Sequence, residues 1–383
     1  MAHHRATRAE INLKAFKHNL QNLKTALGSK TDIMAVIKAD AYGHGALPCA
    51  KAAIESGVGY LGAGVIEEGI ELRKNGIKDP VLILGGIFPD EVTDLVHHNL
   101  STILHTSHLA EALSKEGKKQ GKTVNIHIKV DTGMNRLGVL PENLLALTEK
   151  ISSLPNLKIE ALSTHFSSAD DEDLTITNQQ IELFKKALNE LKKTGIIPPL
   201  THLANTSALF RFTESHSKMV RPGLILYGAL PSPILNPVVQ NFCETENLEN
   251  FEPVMQWKSR VISLKSVQKG QALSYSRKYF TQKDSRIATL PIGYADGLPR
   301  RLSNNMEVLV KGRRVPQVGT ICMDMILIDV SEVPDVQIGE EVVIFGKQGD
   351  EVIQVEELAQ KANTIPYEIL CNIGKRVPRT YQN

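Results

Sequence analysis

The stretch Ile33-Met34-Ala35-Val36-Ile37-Lys38-Ala39-Asp40-Ala41-Tyr42-Gly43-His44-Gly45 is an unbroken apolar run that ends on a lysine and opens into small residues and glycines. Five apolar residues in succession, without alternation, read as a strand covered on both faces, which is the condition of strands in a parallel sheet. Lys38 then stands at the C-terminal end of that strand, where barrel enzymes place catalytic groups, and the glycines leave room beside it for a ligand. No G-x-G-x-x-G follows the run, which counts against a dinucleotide-binding fold.

Seven similar runs follow, at residues 60–65, 81–84, 101–104, 123–130, 159–164, 200–203 and 219–227. Amphipathic segments such as 66–75, 89–98 and 176–194 separate them, so the chain alternates strand and helix. Eight such units predict an α/β fold, a (β/α)8 barrel rather than an open doubly wound sheet. Past the Pro-rich stretch 231–237 the pattern changes to short alternating runs with glycine turns at Gly270, Gly293, Gly297, Gly312, Gly319 and Gly339. This predicts a mainly β second domain in which only 355–363 reads as helical. The boundary is placed near Asn241, giving 1–240 and 241–383, and the strand-like piece 9–13 fits either domain.

The 383 residues carry 44 basic and 42 acidic side chains, a formal net charge of +2, scattered rather than in blocks. That balance offers no electrostatic footprint for nucleic acid or an anionic membrane, and it points to small-molecule partners. The beginning, Met1-Ala2-His3-His4-Arg5, has no apolar signal core and no later run reaches a membrane span, so a cytoplasmic location is expected. Cys49, Cys243, Cys322 and Cys371 form no C-x-x-C pair and read as packing residues of a reducing compartment. The acidic run Asp170-Asp171-Glu172-Asp173 lacks the alternate spacing of a calcium loop and reads as solvated loop, so no metal is expected.

Burial at the strand end disfavours the ammonium form of Lys38 and makes a nucleophilic amine available for Schiff-base formation with an aldehyde cofactor; the alternative is a lysine that only snorkels to solvent. In the fifth run, Val124, Ile126, Ile128 and Val130 alternate with Asn125, His127, Lys129 and Asp131. One face is therefore apolar toward the helices and the polar face points into the barrel. Lys129 becomes an interior cation with Arg136 nearby, and two buried cations require an anion. A carboxylate such as Asp131 is one way to supply it.

The segment from Val36 to Gly45 resembles the pyridoxal-phosphate attachment motif of alanine racemases throughout, and further matches run in that family's order from residues 9–13 to Arg376-Val377-Pro378-Arg379. The resemblance implies pyridoxal 5′-phosphate carried by Lys38. It implies Arg136 near the substrate carboxylate, and a Lys129 carbamylated by carbon dioxide, which would supply the missing anion. It further implies that Arg221 donates to the pyridine nitrogen with His165 beside it, although a lone histidine at a strand end is more often structural. Because a guanidinium cannot accept a proton from the ring, such a site suits simple removal and return of a proton. The phosphate falls at the loops after strands seven and eight, near Asn205, Thr206, Gly223 and Leu224, with Tyr42 and Tyr367 completing the shell. Thr206 stands where many relatives have serine, and Ser207 could share its role; an N-cap role for Asn205-Thr206-Ser207 is compatible.

Racemisation needs proton removal on one face of Cα and delivery to the other, so two acid–base groups are the minimal solution. The resemblance makes them Lys38 and Tyr275, the tyrosine coming from the partner subunit of a homodimer. Ser276 replaces the glycine common after this tyrosine, which bears on the loop's geometry, and a lone tyrosine in a β segment is otherwise usually packing. Met323 is implied to touch the substrate carboxylate through its backbone N–H, and Tyr294 and Arg300 to line the channel to the site. The implied function is interconversion of L- and D-alanine, supplying D-alanine for peptidoglycan. A basic-amino-acid decarboxylase shares this plan but would carry an acid where Arg221 stands. A non-catalytic pyridoxal-phosphate carrier would have no use for a second domain. A small pocket separates alanine from serine only weakly.

Overall fold

The eight apolar runs close into a barrel of parallel strands in the computed structural model, which describes residues 5–382. The polar beginning, residues 1–4, lies outside the described residues, as does Asn383. The barrel strands are Asp32–Val36, Tyr60–Ala63, Val81–Ile83, Ser101–Leu104, Val124–Lys129, Leu157–Ser163, Leu200–His202 and Met219–Val220. Closure comes from the first and eighth strands, which pair in parallel through Asp32 with Met219 and Ile33 with Val220. Met34, Tyr60, Leu82, Ile103 and Met219 fill part of the interior, and the outward faces are covered by helices such as Ser107–Gln120 and Thr175–Lys193. The eighth strand is shorter than its apolar run suggests. Pro222 offers no N–H to a ladder, and the chain turns into a 3-10 segment at Leu224–Tyr227. Arg221 is therefore the first residue past strand eight rather than a residue within it.

Three helices were not foreseen, the first being Leu13–Leu27, ahead of the first barrel strand. Leu235–Thr245 carries Pro237 in its first turn, where a missing N–H costs nothing, and Asn241 lies inside it. Pro366–Cys371 begins on a proline at the first helical position. The second domain is otherwise β. Its main sheet runs in the order Ser263–Val267, Ser285–Leu290, Ile326–Asp329, Arg313–Val318, Glu307–Val310, Glu341–Gln348, Met255–Arg260, Arg8–Asn12, Arg379–Gln382. The strand left open by the sequence, Arg8–Asn12, thus joins this sheet, antiparallel to Met255–Arg260 and parallel to Arg379–Gln382. The fully buried Trp257 packs on Phe345 in its core. The four cysteines are free; Cys49 and Cys243 are buried as packing residues, whereas Cys371 is exposed. Among the described residues no helix is long and apolar enough to cross a membrane.

Candidate active site

Lys38 follows the first barrel strand by two residues and opens a turn of unusual hand. Ala39, Asp40, Ala41 and Tyr42 all have φ between 50° and 54°. Left-handed helical backbone costs about 1–2 kcal/mol for each residue with a Cβ, so contacts from elsewhere must hold it. Glu68 supplies one of them, accepting from the N–H of Ala39 at 2.6 Å while its other oxygen accepts from the N–H of Gly64 at 2.6 Å. Asp40 accepts from Ala46 N at 2.7 Å, and His44 Nδ1 donates to the carbonyls of Ala41 and Tyr42. Burial holds His44 down at about 4, so it is neutral. Gly43 is required where the turn ends: a Cβ there would stand 2.3 Å from the Leu370 carbonyl oxygen.

The turn aims Lys38 into a cavity of about 480 Å³ at the C-terminal mouth of the barrel. Tyr42, Lys129, Arg136, His165, Asn205, Thr206, Arg221, Gly223 and Tyr367 line it as well, so ten of the residues singled out from sequence converge. Four of them are cations, Lys38, Lys129, Arg136 and Arg221, and no carboxylate is among the lining side chains. Burial, then the Arg136 and Arg221 charges, lower the Lys38 amine, with Cys371 and Glu68 opposing. Lys129 is pushed down to about 8 by burial, then by Arg221 and Arg136, and Asp131 offsets only part of this. Asp131 is occupied locally, its Oδ1 accepting from Gly133 N and Asn135 N at 3.0 Å each. Lys129 has no ion pair among the described residues.

Arg221 is held by five contacts. One terminal nitrogen donates to His202 Nδ1 and His202 O, both at 2.7 Å; the other donates to Thr164 O and Leu203 O at 2.9 Å and to His165 Nδ1 at 3.2 Å. Its Nε donates to nothing among the described residues and is left for a ligand. Burial brings this guanidinium down to about 10, which still leaves it charged at neutral pH. His165 is held well below its ordinary value by burial and then by Arg221, so it stays neutral. At the other side of the cavity Gly223 donates to the Thr206 hydroxyl at 3.0 Å, and a Cβ on Gly223 would lie 2.7 Å from the Tyr42 hydroxyl. Asn205 caps the helix Thr206–Arg211 by accepting from Ala208 N. Tyr42 meets Tyr367 edge to face at 5.5 Å. Leu224 is buried behind Gly223 and does not line the cavity.

Tyr275, Met323, Tyr294 and Arg300 lie elsewhere. Tyr275 is 68% exposed and Met323 52% exposed, and neither reaches this cavity. The loops carrying Tyr294 and Met323 are joined by Tyr294 N to Cys322 O and Ala295 N to Met323 O. Tyr294 and Arg300 line a separate groove with Glu368, a neighbour of Tyr367 on the same helix. Tyr275 sits on a constrained turn: Ser274, Ser276 and Arg277 have φ of 63°, 62° and 49°. Ser276 therefore adopts the hand that glycine takes freely. The Thr320 hydroxyl pins it by donating to Tyr275 O at 2.9 Å. Sequence reading assigned no role to Glu68 or His202. His202 ends strand seven, as Lys129 ends strand five, and that shared position was a signal for it.

Residues 11–231 match the family Alanine racemase, N-terminal domain, and residues 254–381 match Alanine racemase, C-terminal domain. Fold and site together define an amino-acid racemase, an isomerase built on a barrel with a β domain. An alanine racemase of Halothermothrix orenii is 44% identical over 99% of this chain and 97% of its own length, and one of Methanococcus maripaludis is 41% identical over 97% and 98%. Among solved structures, an alanine racemase of Clostridium difficile 630 superposes with a TM-score of 0.93 at 36% identity, covering 100% of this chain and 97% of its own. The chain belongs to the alanine racemase family.

Proposed function

We propose that this enzyme interconverts L- and D-alanine with pyridoxal 5′-phosphate on Lys38, and that Lys38 of one subunit and Tyr275 of the partner subunit of a homodimer move the protons. The reading divides the chain at 1–240 and 241–383, with the strand Arg8–Asn12 lent to the second domain's sheet and the boundary falling inside the helix Leu235–Thr245; it places the enzyme in the cytoplasm and has it supply D-alanine for peptidoglycan. The observation that carries it is a cavity with four cations and no lining carboxylate. Such a site suits a ligand bearing phosphate and a substrate bearing carboxylate, and it lacks the acid a basic-amino-acid decarboxylase needs at the pyridine nitrogen.

The residues fit the cofactor. Lys38 offers an amine that burial favours as neutral, and Arg221 Nε has no partner among the described residues. Gly223, Asn205, Thr206, Tyr42 and Tyr367 would surround the phosphate, with Leu224 behind them offering only its backbone N–H and Gly223 free of a Cβ that Tyr42 would exclude. Bound there, the group supplies the electron sink that loosens the substrate's Cα hydrogen. Arg221 remains a donor to the pyridine nitrogen because its own proton is not given up near neutral pH. Arg136 orients the substrate carboxylate, with the Met323 N–H assisting, and Tyr294 and Arg300 flank the channel. His165 is a neutral partner that steadies Arg221.

Lys129 is read as a carbamate. An amine at about 8 is partly neutral at working pH and captures carbon dioxide, turning a cation among cations into an acceptor for Arg136. Loss of optical rotation of L-alanine, compared with other small L-amino acids, tests the activity: alanine should be consumed fastest, and no loss with any of them contradicts the assignment. In the same assay Lys129→Ala should lower kcat/KM by about 10²-fold through a misplaced Arg136 and regain part of it with formate or acetate. Because deprotonation of Lys129 rises as pH increases through about 8, bicarbonate should raise wild-type activity more at pH 8.5 than at pH 7. An ammonium paired with a carboxylate, indifferent to bicarbonate, contradicts the carbamate.

A further inference from the structure

Arg221 is buried with only 6% exposure, and its contacts are carbonyls and imidazoles, none of them a carboxylate. A buried cation without an anion is costly, and the structure holds one at a distance. His202 Nε2 lies 2.9 Å from His127 Nδ1, and His127 Nε2 lies 3.2 Å from the Glu160 carboxylate. The donors in this chain are fixed by chemistry. A guanidinium only donates, so His202 Nδ1 accepts from Arg221 and its proton is on Nε2. That proton is donated to His127 Nδ1, so His127 carries its proton on Nε2 and donates it to Glu160. Each bond has one direction, and it begins on a permanent cation and ends on a carboxylate.

Local structure explains the placement. His127 lies on the inward face of strand five, two residues before Lys129, and His202 ends strand seven. Strand six carries a bulge: Ile126 pairs with Ile159 but His127 with Ala161, so Glu160 is the extra residue set beside His127. The three groups thus run through the barrel interior toward the cavity. The Tyr60 hydroxyl is next to Glu160, and Tyr60 also packs its ring on His127 at 5.7 Å. Burial keeps both imidazoles neutral. Burial alone would raise the Glu160 carboxyl, but the bond from His127, the neighbouring Tyr60 hydroxyl and the nearby Lys158 charge hold it below its ordinary range, so it is an anion. The chain does not conduct protons, since its first member would have to surrender one.

We propose that Glu160 is a positioning residue for racemisation, its carboxylate acting through His127 and His202 to hold the Arg221 guanidinium charged and oriented toward the cofactor's pyridine nitrogen. The proposal rests on the reading that Arg221 meets that nitrogen. A purely structural glutamate would alter stability alone, so the test reads tautomers and kinetics.

Imidazole nitrogens of 15N-histidine-labelled enzyme are observed by long-range proton–nitrogen correlation, both loaded with pyridoxal phosphate and stripped of it. In wild type, His127 and His202 should each be neutral with the proton on Nε2. In Glu160→Ala the His202 nitrogen signals should shift in both forms, and kcat should fall about tenfold with KM for alanine within about twofold, the scale on which partners one shell out act on an oriented imidazole. Glu160→Gln keeps an acceptor for His127 and should rescue most of this, remaining about threefold below wild type for lack of the charge; it carries the test alone if the alanine variant does not fold. Wild type that takes up no cofactor overturns the function and this proposal with it. Wild type that does, with a proton on His202 Nδ1 or with kcat unchanged in both variants, overturns this proposal only.

Discussion

Lys38→Ala is expected to lower alanine racemisation by at least on the order of 10⁴-fold, the largest loss of any single change, because one side chain anchors the cofactor and takes up a substrate proton. The melting temperature of the cofactor-free protein should not fall with it. Burial and the charges of Arg136 and Arg221 disfavour the Lys38 ammonium, so its removal relieves a desolvated, like-charged contact rather than breaking a favourable one. A small primary amine added to the variant should restore part of the proton transfer on the Lys38 face alone. Retention of activity near wild type would remove Lys38 from the chemistry.

Tyr275→Phe is expected to separate the two directions. With one proton-transfer group on each face, exchange of the Cα hydrogen with solvent deuterium should fall by roughly 10²–10⁴-fold for one enantiomer of alanine and far less for the other. The structure motivates this indirectly. A 68% exposed tyrosine on a turn with three left-handed residues is an arrangement that packing within one chain does not reward. The exposed Met323 and Tyr294 are tied to the same region, since Ser274 Oγ lies 3.4 Å from Cys322 Sγ and Tyr294 N donates to Cys322 O. Equal wild-type exchange of both enantiomers by the variant would falsify the two-base reading.

Barrel and site were legible in unequal measure. The apolar runs located eight strands because a strand covered on both faces must be apolar throughout, and alternation in strand five placed Lys129 inside without any other information. The left-handed turn at Ala39–Tyr42 was hidden: alanine, aspartate and tyrosine have no intrinsic preference for it, and what enforces it is Glu68 and the close approach of Gly43 to Leu370, both distant in sequence. Leu235–Thr245 was read as a Pro-rich connection because proline in a first turn looks the same as proline in a loop. The bulge at Glu160 depends on register between strands, which no local pattern encodes. Tyr275 was found only through resemblance, since its place outside the cavity of its own chain gives it no partner from which a role could be argued.

The most direct test of the account is to reduce the purified yellow enzyme with borohydride, digest it and map the modified peptide. A pyridoxyl group is expected on Lys38 and on no other of the chain's lysines: Lys38 and Lys129 both reach the cavity with amines lowered by burial, but Lys38 opens the turn at the barrel mouth beside Tyr42, whereas Lys129 is read as the carbamate. Label on Lys129, on a surface lysine, or on none would contradict it.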